Sequence, residues 1–199
     1  MPQRKTAMPQ VVEHEFILGG QKSGKSRRAE QRAIDWLAAD ARGRRAVLIA
    51  TAQAWDDEMQ ERIVRHQADR AERVPGMRTI EEPIELARAV VTQSTPETLV
   101  VVDCLTLWLT NLLMPMEDAR PATRTPATHT SMLLIALREA RGPVVLVGNE
   151  IGLGVIPMGR ETRAFVDALG RLNQDVAAAC GRVTLMAAGL PLSLKAPAA

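Results

Sequence analysis

The chain has no tyrosine, two phenylalanines and three tryptophans in 199 residues, too few aromatic side chains for a platform that stacks bases or single strands. It also lacks an excess of one charge. The 25 basic residues stand against 23 acidic ones, a formal net charge of +2, which excludes the basic footprint of a nucleic-acid binder and makes any phosphate affinity local. Its two cysteines, Cys104 and Cys180, lie far apart without the paired spacing of a zinc site or a disulfide framework, and both are expected to be reduced and structural. Long hydrophobic runs are missing as well. The most apolar stretch, 99–114, is broken by Asp103 and Asn111, and the opening 1–10 is polar and proline-containing where a secretory signal would be apolar. These absences predict a soluble, cytoplasmic protein with no nucleic-acid partner and no membrane insertion, and the length suits one domain.

What is present is a phosphate-binding loop. Gly19-Gly20-Gln21-Lys22-Ser23-Gly24-Lys25-Ser26 follows the pattern G-x-x-x-x-G-K-[ST]. In such a loop the glycines let successive N–H groups turn inward around phosphate oxygens, the lysine reaches the β- and γ-phosphates, and the serine hydroxyl meets Mg²⁺. Its flanks agree. Residues 12–18 read as a strand, and from Lys25 to Ala39 the residues Ala29, Ala33, Trp36 and Leu37 recur at helical spacing. A P-loop names a ligand class and leaves the reaction open.

Short apolar runs at 46–50, 99–102, 144–147 and 182–187 alternate with amphipathic stretches, the pattern of an α/β domain with a mostly parallel sheet flanked by helices. A helix is expected over 56–70 with Met59 and Ile63 on one face, a loop over 71–80 ending in a possible strand at 78–80, a helix over 83–91, and another over 105–114 stopped by Pro115. The Pro- and Thr-rich stretch 115–128 reads as a surface loop, and 152–159 as a glycine-containing loop ahead of a helix over 160–179. Residues 190–195 read as an edge strand or a tail. Residues 1–11 are set apart as an N-terminal extension to a nucleotide-binding domain over 12–199.

Three further positions carry chemistry. Asp103 follows four apolar residues, where an ionised carboxylate needs a cation or hydrogen bonds, so it fits a Mg²⁺-associated acid; helix capping is the plainer reading. Asn149 and Glu150 follow the run 144–147 and are expected to point into the P-loop crevice, because ligands of open α/β sheets gather at the carboxyl ends of strands. His66 continues the Met59–Ile63 stripe with Arg62 and Arg70 one turn to either side, cations that favour the neutral, nucleophilic imidazole, although a helical histidine is more often packing or surface. His14 and His129 stay unassigned.

Together these segments resemble the bifunctional adenosylcobinamide kinase and adenosylcobinamide-phosphate guanylyltransferase family of cobalamin biosynthesis. The likeness runs through the P-loop with Arg27, Ala29 and Glu30; Ile49 to Ala52 with Asp57-Glu58-Met59; His66 with Arg70; and Arg78 to Pro83. It continues through Val102-Asp103-Cys104-Leu105-Thr106-Leu107-Trp108-Leu109, Asn111, Asn149-Glu150-Ile151-Gly152, Pro157, Arg160, Arg163, Asn173-Gln174 and the segment from Gly189 to Lys195. It implies a RecA-type P-loop domain that phosphorylates adenosylcobinamide from ATP or GTP with Mg²⁺ and then attaches GMP from GTP, releasing pyrophosphate. The resemblance places the guanylylated histidine at His66. It places nucleotide contacts at Gly19, Gly20, Gln21, Lys22, Ser23, Gly24, Lys25, Ser26, Ala50, Thr51, Ala52, Gln67, Ala68, Asp69, Arg70, Glu81 and Asp103, with Ser26 and Asp103 toward the metal and Lys25 in catalysis. A homo-oligomer is implied, a trimer being known for the type. The extension and the stretches 71–77 and 115–128 depart from the pattern without removing a motif residue.

Overall fold

A computed structural model of the protein describes residues 13–40, 43–116 and 124–197. Seven strands form one sheet in the order β3-β2-β4-β5-β1-β6-β7. They are β1 (Glu15–Gly19), β2 (Arg45–Ala50), β3 (Arg78–Glu81), β4 (Thr98–Asp103), β5 (Val144–Asn149), β6 (Arg182–Ala187) and β7 (Leu190–Lys195). The first six pair in parallel, and β7 returns antiparallel along β6. Strands buried on both faces must be apolar at successive positions, which is why 99–102 and 144–147 show no alternation. Phe16, Val100, Val102 and Leu146 face the side covered by α3 (Leu86–Gln93), α4 (Leu105–Leu113), α5 (Pro126–Glu139) and α6 (Arg160–Ala179). Ile17, Leu48, Val101 and Val145 face the side covered by α1 (Lys25–Ala39), which enters through Ala29 and Ala33.

The parallel order sends the carboxyl ends of β1, β2, β3, β4 and β5 to one edge, where the P-loop, Thr51, Glu81, Asp103 and Asn149 lie. β5 separates the P-loop strand from the strand that ends in Asp103.

Several boundaries differ from the sequence reading, each for a local reason. The helix α2 (Asp57–Arg73) runs past Arg70 through part of the expected loop; it starts where the Asp56 carboxylate accepts the Met59 N–H at 2.7 Å, a side-chain N-cap. α3 begins at Leu86, not at 83, because the Glu82 carboxylate first accepts the Ile84 and Glu85 N–H groups in a turn. The expected loop 115–128 ends early: Thr125 caps α5 by accepting the Thr128 N–H, and Pro126 occupies the first turn, where its missing N–H costs nothing. Residues 117–123 of that loop, and the extension 1–11, lie outside the described residues. Residues 190–195 are an edge strand and not a tail.

Candidate active site

The P-loop joins β1 to α1 with backbone geometry that glycine alone meets without strain. Gly19 has φ +154, and a Cβ there would run into the Met186 carbonyl and the Ser23 hydroxyl; Gly24, ahead of α1, has φ +100. The Gly189 N–H, in the β6–β7 turn, donates to the Ser23 carbonyl at 3.0 Å and braces the loop from beneath. Lys25 is buried, with its Nζ donating back to the Gly20 carbonyl at 2.5 Å. Burial pushes its pKa down, and the negative charge of Asp103 works against that. The ammonium is therefore held inside the loop's curve, ready to exchange one oxygen partner for another.

The opposite wall is organised by α4. Thr51 is fully buried; its hydroxyl donates to the Cys104 carbonyl at 2.7 Å and accepts the Cys104 N–H at 2.9 Å, tying the exit of β2 to that of β4. Within the next two turns of the helix, Thr106 accepts the Asn149 N–H at 2.9 Å, Trp108 Nε1 donates to the Ile84 carbonyl at 2.9 Å, and Asn111 Nδ2 donates to the carbonyls of Thr51 at 2.7 Å and Pro83 at 3.1 Å. A single helix thus grips the exits of β5, β3 and β2 and fixes the rim of the cleft.

α2 supplies the third wall. Arg70 is its one buried side chain among the described residues, reaching Asp103 Oδ2 at 3.5 Å and Glu30 Oε1 at 4.0 Å, and Arg73 donates to Glu30 Oε2 at 2.7 Å. His66, two half-turns back along the same helix, is exposed to the cleft. Met59 and Ile63, expected to share one face of this helix, line the cleft as well.

The resulting cleft has a volume of about 1280 Å³. Gln21, Lys22, Ser23, Gly24, Lys25, Ser26, Ala50, Ala52, His66, Gln67, Arg70, Glu81 and Asp103 line it together, as does Asn149. Gly19, Gly20, Thr51, Ala68 and Asp69 are not among its lining: the first two and Thr51 shape the walls from behind, and Asp69 pairs with Arg73 at 2.9 Å. Glu150 departs from expectation. Its carboxylate turns away to accept the Gly152 N–H at 2.7 Å, because the loop after β5 needs its own turn closed. Glu30, Thr106, Trp108 and Asn111 carry functions that spacing did not assign. For Glu30 the available signal was the pair Arg70 and Arg73 on one helix face, in need of a carboxylate.

The unassigned histidines are structural. His14 is buried at the far end of the sheet, where Nδ1 accepts the Val144 N–H at 3.1 Å and Nε2 donates to the Leu137 carbonyl at 2.8 Å; burial lowers its pKa. His129 packs edge-on against Trp108 with ring centroids 6.5 Å apart. Cys104 and Cys180 are free, and burial pushes their thiols up to about 11 and about 12.

A glycine loop feeding a helix N-terminus, an acid at the tip of a second parallel strand and a cleft between them define a P-loop nucleotide-binding α/β protein. The chain belongs to the cobinamide kinase / cobinamide phosphate guanyltransferase family, which matches residues 15–194, and is a transferase of cobalamin biosynthesis. It is 46% identical over 181 residues to the bifunctional adenosylcobalamin biosynthesis protein CobP of Pseudomonas aeruginosa, covering 91% of this chain and 96% of that one. It is 35% identical over 188 residues to the corresponding CobU of Escherichia coli, with 90% and 98% covered. The flagellar accessory protein FlaH from Methanocaldococcus jannaschii shares the fold alone, at a TM-score of 0.50 and 12% identity over 94% of this chain and 80% of that one. Among the described residues, no helix is long and apolar enough to cross a membrane.

Proposed function

We propose that this chain transfers the γ-phosphoryl group of ATP or GTP to the aminopropanol hydroxyl of adenosylcobinamide, then transfers GMP from GTP to that phosphate through His66, giving adenosylcobinamide-GDP and pyrophosphate. The observation that carries this reading is the shared cleft: P-loop, Asp103 and His66 line one space. In the first step the acceptor oxygen bonds to the γ-phosphorus, its proton departs, and the bond to the bridging oxygen breaks to release the nucleoside diphosphate. Positioning and charge neutralisation by the loop N–H groups and Lys25 suffice for this.

In the second reaction a neutral imidazole nitrogen attacks the α-phosphorus of GTP and pyrophosphate leaves, forming a phosphoramidate. An oxygen of the acceptor phosphate then attacks the same phosphorus and returns the imidazole. Gln67, on the turn of His66, donates to Glu81 at 3.3 Å, so that an acidic acceptor stands beside the histidine for the N–H edge of a guanine; Ala50, Ala52 and Arg70 complete that wall.

Mg²⁺ fits the residues present. Ser26 and Asp103 both face the cleft, and among the described residues no group of three or more His, Cys, Asp or Glu side chains could hold a metal by itself, which suits an ion brought in on the nucleotide's phosphates with one or two protein oxygens. Bound there, it would neutralise phosphate charge. In this reading 12–199 is the catalytic unit and 1–11 lies outside it, the enzyme is cytoplasmic, and it forms a homo-oligomer, with a trimer as the family type. The open edge of β7 supports the last point: all six of its residues are exposed, Leu190, Leu192 and Leu194 lie on one face, and an unpaired strand edge invites a second chain.

The test uses GTP labelled at the α-phosphate. Wild-type protein should acquire a covalent label that is labile in acid and comparatively stable in base, and His66→Ala should lose both label and guanylyl transfer while keeping a measurable kinase step. Label and guanylyl transfer that persist in His66→Ala remove this residue from the mechanism.

A further inference from the structure

The loop between β5 and α6 presents Leu153, Val155 and Met158 at 82, 96 and 95% exposure, with Ile151 and Ile156 exposed beside them. A run of large apolar side chains on the surface is costly unless something covers it. This run is held open by polar contacts. The Glu150 carboxylate closes its start by accepting the Gly152 N–H at 2.7 Å, and the Arg163 guanidinium from α6 donates to the Pro157 carbonyl at 2.9 Å and to the Met158 carbonyl at its end. Between those pins, residues 151–159 contain no charged side chain.

The place of the loop points to its occupant. The Glu150 N–H donates to the Gly19 carbonyl at 3.1 Å, so the loop is fastened directly to the start of the P-loop, and Ile151 at its base already lines the nucleotide cleft. Met116, from the other side of the crevice, lines it too. An acceptor has to reach a phosphate held by the P-loop, and this loop is fastened directly beside it. A second copy of the chain is better served elsewhere, because the β7 edge offers unpaired backbone as well as apolar side chains.

We infer that residues 151–158 are the docking platform for the corrinoid acceptor, a macrocycle whose periphery carries methyl groups and neutral amides and which suits an uncharged, apolar surface. This rests on the function proposed above. The loop holds the macrocycle beside the P-loop by burying its apolar edge, and leaves nucleotide binding and histidine guanylylation, which need no acceptor, to the rest of the cleft.

The experiment compares wild-type protein with the double variant Val155→Ser, Met158→Ser and with Leu153→Ser, residues so exposed that the fold does not depend on them. Three quantities are measured: adenosylcobinamide affinity by equilibrium dialysis, followed through the corrin's visible absorption; covalent labelling from α-labelled GTP; and solution mass. The expected result is an adenosylcobinamide affinity weaker by about tenfold or more, with labelling and mass as in wild type. Affinity equal to that of wild type overturns the platform, and so does a variant whose mass falls, which would assign the loop to contact between copies. Wild-type protein that binds adenosylcobinamide but acquires no label from GTP refutes the proposed function alone. Wild-type protein that does not bind adenosylcobinamide overturns both.

Discussion

α1 and α2 face each other across the cleft and are held by opposite means. α1 enters the core through Ala29 and Ala33, and its N-terminus is the P-loop, so the groups that meet a triphosphate are fixed by close packing against the sheet. α2 carries His66 and buries only Arg70 among its described side chains. It is tethered by Arg70 and Arg73 to Glu30 and Asp103, with apolar Met59 and Ile63 left half-buried along the cleft. The P-loop thus sits on a densely packed part of the molecule, and the candidate nucleophile on a helix with few buried apolar contacts, the kind of segment that opens locally at low cost. One carboxylate serves both sides, since Asp103 stands next to Arg70 and in the cleft with Lys25 and Ser26.

The largest effect should come from the rigid side. Lys25→Ala removes the buried charge of the P-loop and, on the proposed function, should lower kcat/KM for both transfers by roughly 10²–10³-fold, in line with the loss of one preorganised charge at a transition state; wild-type turnover with ATP and GTP would show that the P-loop assignment is wrong. Next in size is a direct test of the contrast. Amide hydrogen exchange followed by mass spectrometry should find the central turns of α2 exchanging at least about tenfold faster than those of α1, and equal protection would erase the difference between the two helices.

A smaller effect should follow from cutting the tether. Glu30→Gln leaves Arg70 and Arg73 without their shared carboxylate and should destabilise the docked position of α2 by about 1–3 kcal/mol. Covalent labelling by GTP should fall more than the kinase step does. If both activities fall in parallel, Glu30 serves the fold and not the placement of His66. The smallest effect concerns His14, at the end of the sheet away from the cleft. Its folded pKa is depressed below the ordinary value of about 6.5, so the unfolded chain takes up a proton before the folded one does; stability is full above that pH and declines as pH falls below it. A melting temperature that drops from pH 7.5 to 5.5 in wild type, and drops less in His14→Gln, would bear this out, and identical pH profiles would exclude His14 as the source.

How much of this was legible in the sequence follows from how local each signal is. The P-loop is a contiguous pattern whose glycines are demanded by backbone geometry at Gly19 and Gly24, and doubly buried strands must be apolar at successive positions, so both were readable residue by residue. Asp103 was readable because a carboxylate at the end of an apolar run is conspicuous. The boundaries that shifted, at Arg73, Leu86 and Thr125, depended on side-chain caps and turns whose strength against continued helix or loop cannot be summed from propensities.

Tertiary structure alone decided the rest. That Thr106, Trp108 and Asn111 on α4 hold the exits of three strands depends on carbonyl and N–H groups supplied from 24 to 60 residues away. That Glu30 receives Arg70 and Arg73, and that Glu150 turns from the crevice to close its own loop, depends on which groups the sheet order brings within hydrogen-bonding distance. The class of ligand and the architecture were written in contiguous stretches of the chain, because phosphate geometry and burial act on neighbours along it. The walls of the cleft and the tether of α2 were settled by the folded chain, because ion pairs and buried amides choose partners by distance in space.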